Sequence, residues 1–199
     1  MTKVRVLIAA AVLAILAGLI YTQGSGAQPD AKVKAEVDKI VDAVAKGNMD
    51  GARSMAQALA KKSSGEPLDV LEELAVMDLF KKKDKGGYGY GKGPKELDGI
   101  EVKYREIARD GVTPAVAKSD AEYIQKLAHR TVAISLVAEA LTPKKAKGTA
   151  QPKNWTQYVK EMQDGAQALA KAKGAADIKT AATKVNTACN SCHSEWRNK

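Results

Sequence analysis

Ala176–Arg197 reads A-D-I-K-T-A-A-T-K-V-N-T-A-C-N-S-C-H-S-E-W-R, with its apolar stripe at Ile178, Ala181, Ala182, Val185, Cys189, Cys192 and Trp196. Steps of three and four residues are the period of an α-helix that buries one side. The same stripe carries both cysteines of the chain, in Cys189-Asn190-Ser191-Cys192-His193. At ~100° per residue, Cys192 lies ~60° and His193 ~40° from Cys189, so two thiols and an imidazole project from one side of the helix. C-x-x-C-H is the spacing for covalent c-type haem attachment, in which the thiols add to two vinyl groups and the imidazole binds iron.

Other readings of the motif fit less well. A dithiol redox site belongs beside a βαβ pattern, which this sequence lacks. A structural zinc needs four nitrogen or sulfur ligands, and beyond the motif only His129 remains. A Cys189–Cys192 disulfide would close too short a loop to staple a domain.

Upstream, the same period recurs. Trp155 to Ala172 repeats Trp155, Tyr158, Val159, Met162, Ala166, Leu169 and Ala172, and Asp120 to Leu141 aligns Ile124, Leu127, Thr131, Ser135, Ala138 and Leu141 before Pro143 stops it. Short connections, Lys173-Gly174 and Pro143 to Asn154, predict antiparallel neighbours. An early stripe, Val33, Val37, Ile40, Val41 and Val44, continues after a break at Gly47 through Met49, Ala52, Met55, Ala56 and Leu59. It makes the fourth member of an all-α, four-helix-bundle-like fold, with further helices over Leu68 to Phe80 and Ile100 to Ala108.

Lys81 to Pro94 breaks the pattern, with glycines alternating around Tyr88 and Tyr90. Gly86, Gly91 and Lys92 imitate a phosphate-binding loop, but Gly93 stands where Ser or Thr must hold magnesium and no strand precedes it. The expectation is a mobile surface loop, with a place beside a cofactor left open.

Composition sets the outer bounds. The chain has 199 residues, 32 Lys+Arg against 23 Asp+Glu for a net +9, 45% hydrophobic and 5% aromatic residues, which excludes a disulfide framework and wholesale disorder. Lys3 and Arg5 precede the uncharged run Val6 to Ile20, and Ser25-Gly26-Ala27 supplies small residues for cleavage. Residues 1–27 therefore read as a secretory signal and 28–199 as the haem-binding helical domain, working in the periplasm or otherwise exported. The apolar run is shorter than the ~20 residues of a spanning helix, so no stable membrane span is expected after cleavage.

Cys189 through Arg197, C-N-S-C-H-S-E-W-R, resembles the C-terminal attachment segment of the cytochrome c′ family, the class II c-type cytochromes. In that family two variable residues, an aromatic and an arginine follow the motif. Trp196 stands where Tyr or Phe is usual, and Arg197 matches. The likeness covers about the last 80 residues, and the glycine-rich loop and the Leu68 to Phe80 helix look like additions. The resemblance implies one covalent haem c per chain in a periplasmic protein that carries electrons or binds nitric oxide or carbon monoxide at an open iron. Arg197 would then lie near the proximal haem face, unless it is simply a solvated terminal arginine. Trp196, one turn beyond Cys192, is expected to pack against haem or core.

The sixth iron ligand separates the two roles, because a second axial side chain closes the site and Met raises the potential. Met49, Met55, Met77, Met162 and His129 are the candidates, and each has an ordinary packing reading. Family placement of the distal residue on the first helix favours Met55 or Met77, and Met77 is preferred because Met77-Asp78-Leu79-Phe80 runs into the glycine-rich loop.

The leading expectation is a one-electron carrier between envelope redox proteins, its positive charge steering acidic partners; the alternative is a five-coordinate gas-binding protein. A peroxidase-like enzyme would need a polar distal group, and His129 is the one obvious imidazole for it. No acid, base or nucleophile constellation is visible, so turnover is not expected. The run Lys81, Lys82, Lys83 and Lys85 reads as a solvated surface, nucleic acid is a poor fit, a homodimer stays open, and Asn154-Trp155-Thr156 matches the N-glycosylation pattern.

Overall fold

The computed structural model describes residues 30–91 and 98–197. The proposed signal segment 1–27 and the loop residues Lys92, Gly93 and Pro94 lie outside the described residues. Asp30 and Asn48 open the first two helices, accepting hydrogen bonds from Lys32 N at 2.9 Å and Gly51 N at 3.0 Å. They are α1 (Ala31–Ala45) and α2 (Met49–Ala60), and between them Gly47 takes the left-handed φ of +74°. The early stripe is thus a folded-back pair rather than one long bundle member, and both arms pack on a later helix, Ala121–Ala140.

Leu68 to Phe80 is not one helix either. It divides into α3 (Pro67–Glu73) and a 3₁₀ turn (Val76–Phe80), with Ala75 at the left-handed φ of 47° between them. That conformation costs an L-residue ~1 kcal/mol. It is held because Leu74, Ala75, Val76, Leu79 and Phe80 are all buried.

The next short 3₁₀ turn (Lys83–Lys85) leads into the glycine-rich segment, whose described part contradicts the expectation of a mobile surface loop. Tyr88 and Tyr90 are 3% and 9% exposed. Two cations lie over the Tyr88 ring, Lys34 Nζ at 4.4 Å and the Arg130 guanidinium at 4.7 Å from the centroid, and Arg130 donates to Gly89 O at 3.3 Å. Tyr90 meets Tyr123 edge-on at 6.4 Å. Gly87 answers a packing need, since a Cβ there would stand 1.9 Å from Lys81 O. Glycine here lets two backbone segments touch.

The remaining helices are α4 (Ile100–Asp110), α5 (Pro114–Ser119), α6 (Ala121–Ala140), α7 (Pro152–Lys171) and α8 (Ala175–Trp196). α6, α7 and α8 pack as consecutive neighbours, α4 lies on α8, and α1 and α2 cover α6. The structure is an all-helical bundle with its core among these layers. α6 is the central element. Beyond the stripe read from sequence, Ala128, Val132, Ala133, Ile134, Leu136 and Val137 are buried as well. Its buried hydroxyls are satisfied within the helix, Thr131 by Leu127 O at 2.9 Å and Ser135 by Val132 O at 2.7 Å. Among the described residues no helix is long and apolar enough to cross a membrane.

Candidate functional site

α7 runs antiparallel to α8, so its first turns meet the last turns of α8, where the motif lies. Asn154 donates to Glu195 at 3.1 and 3.2 Å, Tyr158 OH donates to Glu195 Oε1 at 2.7 Å, and Met162 Sδ lies 3.8 Å from Cys189 Sγ. At the next turns Gly165 lets the backbones close, because a Cβ there would stand 2.9 Å from Val185 Cγ2 and 3.1 Å from Val185 N. The glycosylation match at Asn154 is thus a structural amide that ties α7 to α8.

The two cysteines share a helix face but not the same surroundings. Cys189 packs against the main core, while Cys192 packs against a smaller cluster of Ala138, Ala150, Trp155, Val159 and Trp196. Both thiols are free of disulfide. Burial is the main reason that Cys189 is pushed up to about 11 and Cys192 to about 12. Glu101 adds to the first shift, and Cys189 and Glu195 to the second. Both therefore stay protonated at neutral pH and are poor thiolate nucleophiles. His193 is half-buried, and burial lowers its pKa, with Arg197 acting in the same direction and Glu101 opposing. Its neutral form, the one that ligates iron, is favoured.

Trp196 is buried, as expected, and stands edge-on to Trp155. Its Nε1 and the Tyr104 hydroxyl of α4 are buried without a hydrogen-bond partner. Arg197 is exposed and acts on His193 only through its charge. The methionines part company. Met77 is half-buried and packs against both clusters, sharing the tryptophan cluster with Cys192; Met162 touches Cys189; Met49 packs on the main core; Met55 is 43% exposed on α2. His129 is half-buried on α6, two residues and hence ~200° around the helix from Thr131, the side chain beside Tyr104. The structure turns it away from the α4 side.

Sequence reasoning missed Tyr104, Glu101, Trp155 and Glu195 as neighbours of the motif. Only the helical period of Trp155 hinted at its role, and nothing local marks the other three.

The cytochrome c′ family model matches residues 104–197, from the middle of α4 to the end of α8. This segment belongs to the cytochrome c′ family. Comparison with curated proteins and with solved structures gives no significant match. The cytochrome c′ segment contains the whole motif, the Trp155–Trp196 pair and Tyr104, and the family implies a c-type haem cofactor. Two soft thiols one turn apart, an adjacent neutral imidazole and an apolar surround with two unpartnered buried donors fit such a group. α1, α2, α3 and the Tyr88–Tyr90 segment lie outside the match.

Proposed function

We propose that this chain is an exported monohaem c-type cytochrome that carries single electrons between envelope redox proteins, and is not an enzyme. The observation that carries this reading is the placement of Cys189, Cys192 and His193 along one side of α8, within the cytochrome c′ segment, against Trp155, Trp196 and Met162. Cys189 and Cys192 hold the haem and His193 is its proximal ligand. Trp196 packs at the attachment site, and Arg197 supplies a positive charge on the His193 side. When bound, the haem supplies the one-electron ferric–ferrous couple. The protein keeps the imidazole neutral by burial, surrounds the thiols with apolar groups and sets the polarity around the site. Met77 is the sixth ligand in this reading, supported by its place with Cys192 on the tryptophan cluster.

The test is the visible spectrum of the purified holoprotein, oxidised and reduced, with carbon monoxide then added to the reduced form. A low-spin spectrum with a weak long-wavelength sulfur-to-iron band and no carbon monoxide response is the expected result. Met77→Ala should abolish that band. Loss of the band in Met162→Ala instead would move the ligand to α7. A high-spin spectrum that shifts with carbon monoxide would replace electron carriage with gas binding. Haem that extracts into acidified organic solvent from wild type would refute covalent attachment, and only the Cys189→Ala, Cys192→Ala double variant should release it.

A further inference from the structure

Between Glu139 and Glu161 the chain has no acidic residue, yet Lys144, Lys145, Lys147 and Lys153 fall within ten positions. All four side chains are exposed, and none forms an ion pair among the described residues. Elsewhere many lysines face a carboxylate, Lys34 with Asp38 at 3.2 Å, Lys62 with Glu36 at 3.0 Å and Lys126 with Glu122 at 2.5 Å, and unpaired ones such as Lys46, Lys118 and Lys173 each have an acidic residue within four positions. The run that stands out in sequence is also largely answered, Lys81 by Asp78 at 2.8 Å and Lys82 by Asp84 at 3.0 Å. A block of positive charge with no acidic residue within four positions lies instead at Lys144, Lys145 and Lys147 in the connection from α6 to α7 and at Lys153 in the first turn of α7.

That connection sits over the attachment end of the bundle. Ala150 and Trp155 share a cluster with Trp196 on which Cys192 packs, and Asn154 is bonded to Glu195 of the last turn of α8. Two carboxylates at this end are already engaged, Glu195 by Asn154 and Tyr158, and Glu139 by Arg53 and Gln163. The backbone carrying the lysines is fixed by reciprocal bonds, Lys147 N to Ala150 O at 3.1 Å and Ala150 N to Lys147 O at 3.0 Å. Three like charges on a held turn and a fourth at the adjoining helix start repel one another and do not stabilise the fold.

We propose that Lys144, Lys145, Lys147 and Lys153 form the docking surface for an electron-transfer partner that is a protein with a carboxylate-rich face, an inference that rests on the haem reading above. A positive patch at the attachment end raises the encounter rate with such a face and orients it so that the haem side is presented. Side-chain burial is not needed. The charges act across water, and their effect fades as salt rises.

The test compares two holoprotein variants of equal net charge. One carries Lys144→Glu, Lys145→Glu and Lys147→Glu; the other carries Lys118→Glu, Lys171→Glu and Lys173→Glu near the opposite end, where Lys118 and Lys173 line one cleft. The readouts are haem reduction by the anion hexacyanoferrate(II) at low ionic strength, and protection from that reagent by poly-L-glutamate. We expect the first variant to slow reduction at least about tenfold and to lose the protection, the second to change the rate less than about twofold, and all rates to converge at high salt. Equal slowing in both variants would reduce the effect to net charge and overturn the proposal, as would no slowing in either. Binding to vesicles of phosphatidylglycerol and phosphatidylcholine that is lost only in the first variant, with its hexacyanoferrate rate unchanged, would overturn it in favour of a membrane surface. Reduction by the cation hexaammineruthenium(II) separates the two readings. If that reagent reduces every form, the haem reading stands whatever the lysines do; a wild type without a haem spectrum overturns both.

Discussion

The indole rings of Trp155 and Trp196 meet edge to face, with centroids 5.4 Å apart at an interplanar angle of 85°. Trp155 Nε1 donates to Ala138 O at 3.0 Å, so this one side chain joins the end of α6 to the start of α7 and the end of α8. Edge-to-face contact adds ~1 kcal/mol to the area that the rings bury. The attachment turn of α8 is therefore braced by an aromatic contact from a neighbouring helix.

Trp155→Phe should keep most of the packing and lose the hydrogen bond, for a cost of about 1–2 kcal/mol. Trp155→Ala should cost about 3–5 kcal/mol, because it opens a cavity beside Cys192. Urea unfolding of both variants checks the order. An alanine variant as stable as the phenylalanine one would show that the aromatic brace is not needed.

Gly165→Ala tests the close approach of α7 and α8. The new methyl would meet Val185 Cγ2 at 2.9 Å, Val185 N at 3.1 Å and Ala181 O at 3.3 Å. Overpacking of this kind costs about 1–3 kcal/mol, against a gain in helix propensity of about 1 kcal/mol. A lower urea midpoint at unchanged slope is expected.

Arg130→Ala removes the guanidinium from Tyr88 and the bond to Gly89 O. The expected loss is about 1 kcal/mol, and it should fall on one segment. Trypsin should cut faster at Lys82, Lys83 and Lys85 while global stability changes little. Unchanged cleavage would mean that Lys34 and the buried rings hold the segment alone.

Tyr104 gives a pH dependence with a definite sign. Burial, with a smaller push from Cys189 and against a pull from Thr131, holds its pKa above the ordinary 10.0. The folded protein then keeps a proton that the unfolded chain gives up near pH 10, so stability is intact below pH 10 and falls as pH rises through the folded value. By pH 11 the loss from this group is on the order of 1 kcal/mol. Tyr104→Phe leaves no donor stranded, because the hydroxyl has no hydrogen-bond partner. The variant should match wild type within about 1 kcal/mol at pH 8 and exceed it at pH 11, as read by urea unfolding at both values.

The three helices at the chain end were legible because each buries one continuous stripe and stops at a local signal. α6, α7 and α8 begin and end within three residues of the expected positions. Leu68 to Phe80 misled for a physical reason. Its apolar residues suit a helix, but they are buried in two directions around a left-handed Ala75, and period alone carries no information about a turn that packing holds. The glycine-rich segment misled in the same way, since glycines that permit close backbone contact look identical to glycines that permit motion.

By itself the sequence determined the helical class, the single face shared by Cys189, Cys192 and His193, and the chemistry those three residues suit, because helical phase and side-chain type are local properties. Only the tertiary structure decided what surrounds that face. It brought Tyr104 and Glu101 from α4, Met162 from α7 and the Trp155–Trp196 pair to the motif, and it left the lysines of the α6–α7 connection unpaired above it. These neighbours lie tens of residues apart in the chain, and nothing in their local sequence encodes their meeting; it follows from which helix faces must be buried together to remove them from water.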